Sequence, residues 1–343
     1  MKNFVFFVIA LGISTLARGQ DVHLSQFYNS PLSLNPAMTG LMNYDVRFMA
    51  NYRNQWSSVT VPFQTIAVSA DASILAGFAE DDFFGGGILL LNDKAGDSQF
   101  RTTQVQLSAA YAKSLSGGAN HYVSLGGQFG VAARSINYSK LTFDSQFNGD
   151  VLDPNISSGE NLDRYSYSYV DFSAGLAWYF APSDLTTVYA GVAAAHLNEP
   201  NISFYEETVQ NLFSKMTIHF GAEIGLNESV AVIPSAILLL QGPHQELNAG
   251  AMLKMNLTPG LEIDEGALAL YFGTMHRFKD AQIFTSRVDV GPVAISLSYD
   301  VNISTLRQAS RYRGGPEVAV SYRRNLWQES ERSKRGAVKC PSY

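Results

Sequence analysis

The sequence predicts an all-β protein: a transmembrane antiparallel β-barrel of about 14 strands with a short N-terminal plug-like segment. Three observations predict it. Side chains alternate apolar and polar along runs of about 8 to 14 residues, longer than the roughly 5–6 usual in soluble sandwiches. No apolar run of about 20 residues follows the N-terminus, so helical spans are not expected. Finally, 17 Tyr, 21 Phe and 28 Gly at only 46% hydrophobic residues suit strands that are apolar on one face.

Residues 1–19 read as a secretory signal peptide. Lys2 gives the positive start, Phe4 to Ile13 the apolar core, and Ala17-Arg18-Gly19 a small-residue cleavage site. Residues 20–43, rich in Pro, Asn and Ser, are too broken for a helix and read as a lead-in or plug segment. The first strand follows, with Val46, Phe48, Ala50 and Tyr52 on one face and Arg47, Asn51 and Arg53 on the other.

Five more strands alternate cleanly: 104–111, 121–134, 169–180, 215–224 and 291–303. In the last, Val293, Ile295, Leu297 and Tyr299 share one face, and Ser296, Ser298 and Asp300 the other. A one-residue slip would put Asp300 in hydrocarbon, so the register is strongly specified. Weaker strands are expected at 61–74, 84–93, 185–197, 229–241, 244–256, 266–277, 280–290 and 315–326. Pro234, inside one of these, calls for a β-bulge. The barrel is thus assigned to 44–327 and a polar periplasmic tail to 328–343.

Loop lengths give an independent check. Short turns at Asn227-Glu228 and Gly291-Pro292 follow even strands, whereas the long connections near 138–168 and 198–213 follow odd ones; two connections after even strands, Leu75 to Phe83 and Leu257 to Glu265, are longer than this rule prefers. That parity places the short turns in the periplasm. The formal net charge of −6 gives no electrostatic case for nucleic acid. The single cysteine, Cys340, allows no intramolecular disulfide.

Specific words accompany the strands. His23-Leu24-Ser25-Gln26-Phe27-Tyr28, Leu34-Asn35-Pro36-Ala37 and Asn51-Tyr52-Arg53-Asn54-Gln55-Trp56 open the mature chain. Leu141-Thr142-Phe143 with Gln146, then His196-Leu197-Asn198-Glu199-Pro200-Asn201, fall in long loops. Pro234-Ser235, Ser298-Tyr299-Asp300-Val301-Asn302 and Lys339-Cys340-Pro341 follow. In this order the words resemble the PorP/SprF family of the type IX secretion system of Bacteroidetes. The resemblance implies a non-enzymatic component of the cell outer membrane, surrounded by outer-membrane lipid. It also implies help in exporting or anchoring large secreted proteins or gliding adhesins. The partners implied are the periplasmic ring or motor components and the C-terminal sorting domain of a secreted adhesin. The alternative is a FadL-like channel or transporter for small hydrophobic solutes, whose hatch carries a similar Asn-Pro-Ala word.

The candidate plug residues are Gln26, Phe27, Asn35, Pro36 and Ala37, since Asn bonds nearby backbone and Pro fixes φ. The candidate lumen-facing residues are Arg47, Arg53, Arg134, Asp171, Glu223 and Asp300, with Lys215 beside them. Lys215, His219 and Glu223 share a face, but four-residue steps on a strand are roughly 13 Å apart, too far for one catalytic constellation. No GxSxG, HExxH or phosphate-loop motif is present, and Gly85-Gly86-Gly87 reads as backbone flexibility. Asp144, Asp150, Asp153 and Glu160 fit no known Ca²⁺ loop, so no cofactor or metal is expected.

Overall fold

The computed structural model describes residues 21–59, 61–76, 82–116, 120–153, 155–261 and 266–326. The expected signal peptide and tail lie outside the described residues. Fourteen strands form a closed antiparallel barrel: β1 (Val46–Gln55), β2 (Phe63–Ala76), β3 (Phe83–Ala95), β4 (Phe100–Ser114), β5 (His121–Ser135), β6 (Ser166–Ser183), β7 (Thr186–Ala195), β8 (Lys215–Asn227), β9 (Val230–Gln241), β10 (His244–Asn256), β11 (Leu268–Arg277), β12 (Ala281–Val290), β13 (Val293–Asn302) and β14 (Arg313–Arg324). Each strand pairs with its sequence neighbours, and β1 closes on β14 with Phe48 opposite Tyr322. Closure leaves no unpaired sheet edge.

The burial pattern is inside out. Leu125 and Phe284 are 64% and 56% exposed on the outer face, whereas Arg47, facing inward, is 1% exposed. Such a surface is stable only where the surrounding solvent is hydrocarbon. The connections 184–185, 228–229 and 291–292 lie at one mouth, and 136–165 and 196–214 at the other. We call these the short-turn and long-loop mouths.

Pro234 corrects one expectation. It pairs in register with Ala251 of β10, and the ladder to β8 skips Ile233 and Pro234 without a shift. The irregularity between β8 and β9 lies instead between Gly225 and Asn227. The missing N–H removes a ladder bond without requiring an extra residue.

Candidate functional site

The lumen is filled by the chain's own N-terminal segment. From Leu24 to Met42 almost every residue is buried, folded as a 3₁₀ turn at Phe27–Asn29, a single helical turn α1 (Pro31–Leu34) and a 3₁₀ turn at Pro36–Met38. Pro31 and Pro36 begin the last two, where their missing N–H groups would lack partners in any case. Phe27, Leu34, Met38 and Leu41 pack on the inward side chains Phe83, Tyr122, Tyr179 and Met275.

The segment has a direction. Asp21 sits at the long-loop mouth: its N–H donates to Gln241 (2.8 Å), and its Oδ2 meets Lys215 Nζ (3.1 Å) and His196 Nε2 (2.5 Å). His196 Nδ1 then lies 2.8 Å from Asp171. One turn further in, Glu317 accepts from the backbone N–H groups of Ser25 (2.8 Å) and Gln26 (3.0 Å). Gln26 Nε2 donates to Ser298 (3.0 Å), and Arg277 donates to the Ser25 hydroxyl (2.6 Å). Arg53 and Arg277 both bridge to Asp300, at 2.8 and 3.1 Å.

Asn35 marks the midpoint. Its amide nitrogen is 3.0 Å from Leu176 O on β6, 3.3 Å from Val192 O on β7 and 3.0 Å from His219 Nε2 on β8. Its Oδ1 caps the following turn by accepting from the Ala37 N–H at 2.9 Å. At the short-turn mouth Gly40 N–H donates to Asp71 (2.9 Å), which Arg47 holds.

Glycines on the lumen face admit this segment. A Cβ on Gly126 would lie 2.4 Å from the Pro36 carbonyl, one on Gly175 2.0 Å from Asn35 Oδ1, and one on Gly85 2.0 Å from Thr39 O. Gly85 therefore allows a close backbone approach, a stronger constraint than flexibility.

Of the residues singled out from sequence, Gln26, Phe27, Asn35, Pro36 and Ala37 all lie buried in the lumen. Arg47, Arg53, Asp171 and Asp300 are buried and face inward, while Arg134 and Glu223 are partly buried on the same face. Lys215, His219 and Glu223 find three different partners: Asp21, Asn35 and Lys254. Sequence reasoning missed Asp71, His196, Arg277 and Glu317. Their inward strand positions or loop words were visible, but their partners come from distant strands. Among the described residues no three His, Cys, Asp or Glu side chains converge to hold a metal.

A profile of the family described as type IX secretion system membrane protein PorP/SprF matches residues 16–322. Among curated proteins none matches. Solved structures with a similar fold include the P. putida toluene transporter TodX, at 13% identity and TM-score 0.47, over 88% of this chain and 95% of that one. A Pseudomonas aeruginosa FadL homologue aligns at 10% identity and TM-score 0.44, over 86% and 94%. The KdgM porin aligns at 8% identity and TM-score 0.35, over 80% and 98%.

Proposed function

Because this outer-membrane barrel belongs to the type IX secretion system PorP/SprF family, we propose that it works without enzymatic chemistry, as a sealed accessory of that system. Its role is to assist export or surface anchoring of large secreted proteins or gliding adhesins. It does so by protein–protein contact, with the long loops outside the cell and the short turns in the periplasm. One observation carries this reading: a family match spanning nearly all of a barrel whose lumen is occupied by residues 24–42. A filled lumen leaves surfaces, rather than a conduit, as the means of action. The periplasmic ring or motor components meet it from below, and the sorting domain of an adhesin is the cargo element it serves.

The experiment is deletion of the gene and complementation, with surface display of large secreted proteins followed by protease shaving of intact cells. Loss of display on deletion and recovery on complementation is expected. Unchanged display in the deletion strain would overturn the proposal. Conductance of the pure protein in planar bilayers separates this reading from a solute channel, which would conduct or take up solute without any variant opening it.

A further inference from the structure

Above α1, toward the long-loop mouth, a cavity of about 140 Å³ separates the plug from the wall. Leu24, Leu34, Leu89, Leu91 and Leu239 are among its lining residues, as are Gln104 and Gln128. An apolar cavity of about 150 Å³ accepts a benzene-sized body.

The ionic groups around it are unevenly matched. Asp21 is held by Lys215 and His196, and Glu246 lies 3.5 Å from Arg277. Asp171 is held by His196. Arg47, Arg53, Arg277, Arg287 and Arg323 each have a carboxylate within 3.1 Å. Arg134 has none within 4.0 Å among the described residues. It lies between the rings of Phe100 (5.8 Å) and Tyr169 (5.7 Å) and reaches the Tyr167 hydroxyl, while its buried Nε has no hydrogen-bond partner there. Asp93 is the matching case: Thr65 donates to one of its oxygens at 2.7 Å, and no cation pairs with it among the described residues.

The register places these two groups together. Asp93 is opposite Thr102, and Thr102 is opposite Arg134, so both charges line the cavity with one threonine between them. Their backbones are two strand spacings apart, roughly 10 Å, a gap that side chains and a small ligand can bridge.

We propose that this cavity binds a small zwitterion with an apolar body, an α-amino acid of about leucine size. Arg134 receives the carboxylate in a forked, charge-assisted contact. Asp93 receives the ammonium, and the leucines of the lining receive the side chain. A simple carboxylate meets repulsion from Asp93 and a simple amine meets repulsion from Arg134, so the pair selects for both charges at once. The site is independent of the secretion role.

The test is isothermal titration of the full mature protein in detergent with L-leucine, 4-methylpentanoate and 3-methylbutylamine. Leucine should bind saturably, and each one-charge analogue about tenfold or more weaker. R134Q and D93N should each weaken leucine by about tenfold, with heat-dependent electrophoretic mobility confirming a closed barrel. Absence of saturable heat up to about 50 mM leucine overturns the proposal. So do analogues that bind as tightly as leucine to the unaltered protein, or variants with intact barrels and unchanged affinity.

Discussion

Arg47 holds Asp71 with both arms of its guanidinium: Nε donates to Oδ1 at 3.0 Å and Nη2 to Oδ2 at 2.7 Å, in a site where both side chains are 1% exposed. The same Asp71 oxygen accepts from Gly40 N–H, and Arg47 Nη2 also reaches Met38 O. One ion pair between β1 and β2 thereby fixes the base of the plug.

Removing Asp71 alone leaves a buried cation without its counter-charge, a change that costs about 3–5 kcal/mol. D71A should free the plug base and raise ion conductance in planar bilayers well above that of the unaltered protein. The paired change Arg47→Met with Asp71→Leu should recover barrel stability, because apolar groups of similar volume can replace such a pair. It should still leak, because the bond to Gly40 is gone. A D71A protein that stays as tight as the parent would show that the plug is held elsewhere.

Asn35 and Gly175 should behave as a coupled pair. N35A removes the donor facing two wall carbonyls and His219, a loss of about 1–3 kcal/mol. G175A forces a Cβ to 2.0 Å from Asn35 Oδ1, and the main-chain position of Gly175 in β6 leaves little room to relax. In the N35A background most of that clash disappears. A double-mutant cycle on thermal unfolding in detergent should therefore give a coupling of at least about 0.5 kcal/mol. Strict additivity would mean that the Asn-Pro-Ala segment lies away from β6.

The strands were legible because lipid and lumen impose opposite demands on alternate residues, as Phe48 and Arg47 show. The plug was legible as a segment, from its prolines and asparagines, but not as a path. Asn35 meets residues more than 140 positions away, and no local pattern encodes that. Lumen pairings were hidden for the same reason: Arg53 on β1 meets Asp300 on β13 and Glu317 on β14 only because the barrel closes. His196 could have been suspected, since it opens a loop word at the end of β7. Its partner Asp21, however, arrives only with the plug.

Attachment of the plug's tip should depend on pH in both directions. Burial alone would lower the pKa of His196, but the adjoining Asp21 and Asp171 carboxylates outweigh it and raise the value to about 9. Burial would raise that of Asp21, yet Lys215 and His196 hold its carboxyl well below the usual range. For His23, burial first and then Arg277 and Arg53 push the pKa well below 6.5. A base with a raised folded pKa stabilises fully below about 6.5, and that contribution is lost as pH climbs through about 9. A base with a depressed folded pKa acts the other way: the free segment takes up a proton below about 6.5 that the docked one refuses, so docking weakens as pH falls. Asp21 adds to that weakening only below the ordinary carboxylate range. Protection factors of residues 21–28, taken relative to the intrinsic exchange rate at each pH, should be highest near neutrality and fall toward both pH 5 and pH 9.5, by roughly tenfold. H196Q should flatten the alkaline limb alone. A monotonic profile in the parent would contradict the opposed assignments of His23 and His196.

Glu317 offers the sharpest separation of plug from barrel. Its two oxygens accept from successive backbone N–H groups, Ser25 to Oε2 and Gln26 to Oε1, with Arg53 Nε 3.7 Å away. E317Q replaces one acceptor with an amide NH₂, which faces a backbone donor and cannot bond to it. It also removes a charge beside Arg53, while Asp300 continues to hold that guanidinium. The backbone ladder of β14 does not involve this side chain, so Arg53 should stay opposite Glu317's position and Phe48 opposite Tyr322. Amide exchange at residues 25 and 26 should therefore rise by about tenfold or more, the loss of one charge-assisted bond, while exchange across the β1–β14 seam stays unchanged. Equal acceleration at both places would mean that the plug and the closing seam unfold as a single unit, and the N-terminal segment could not be treated as a separable seal.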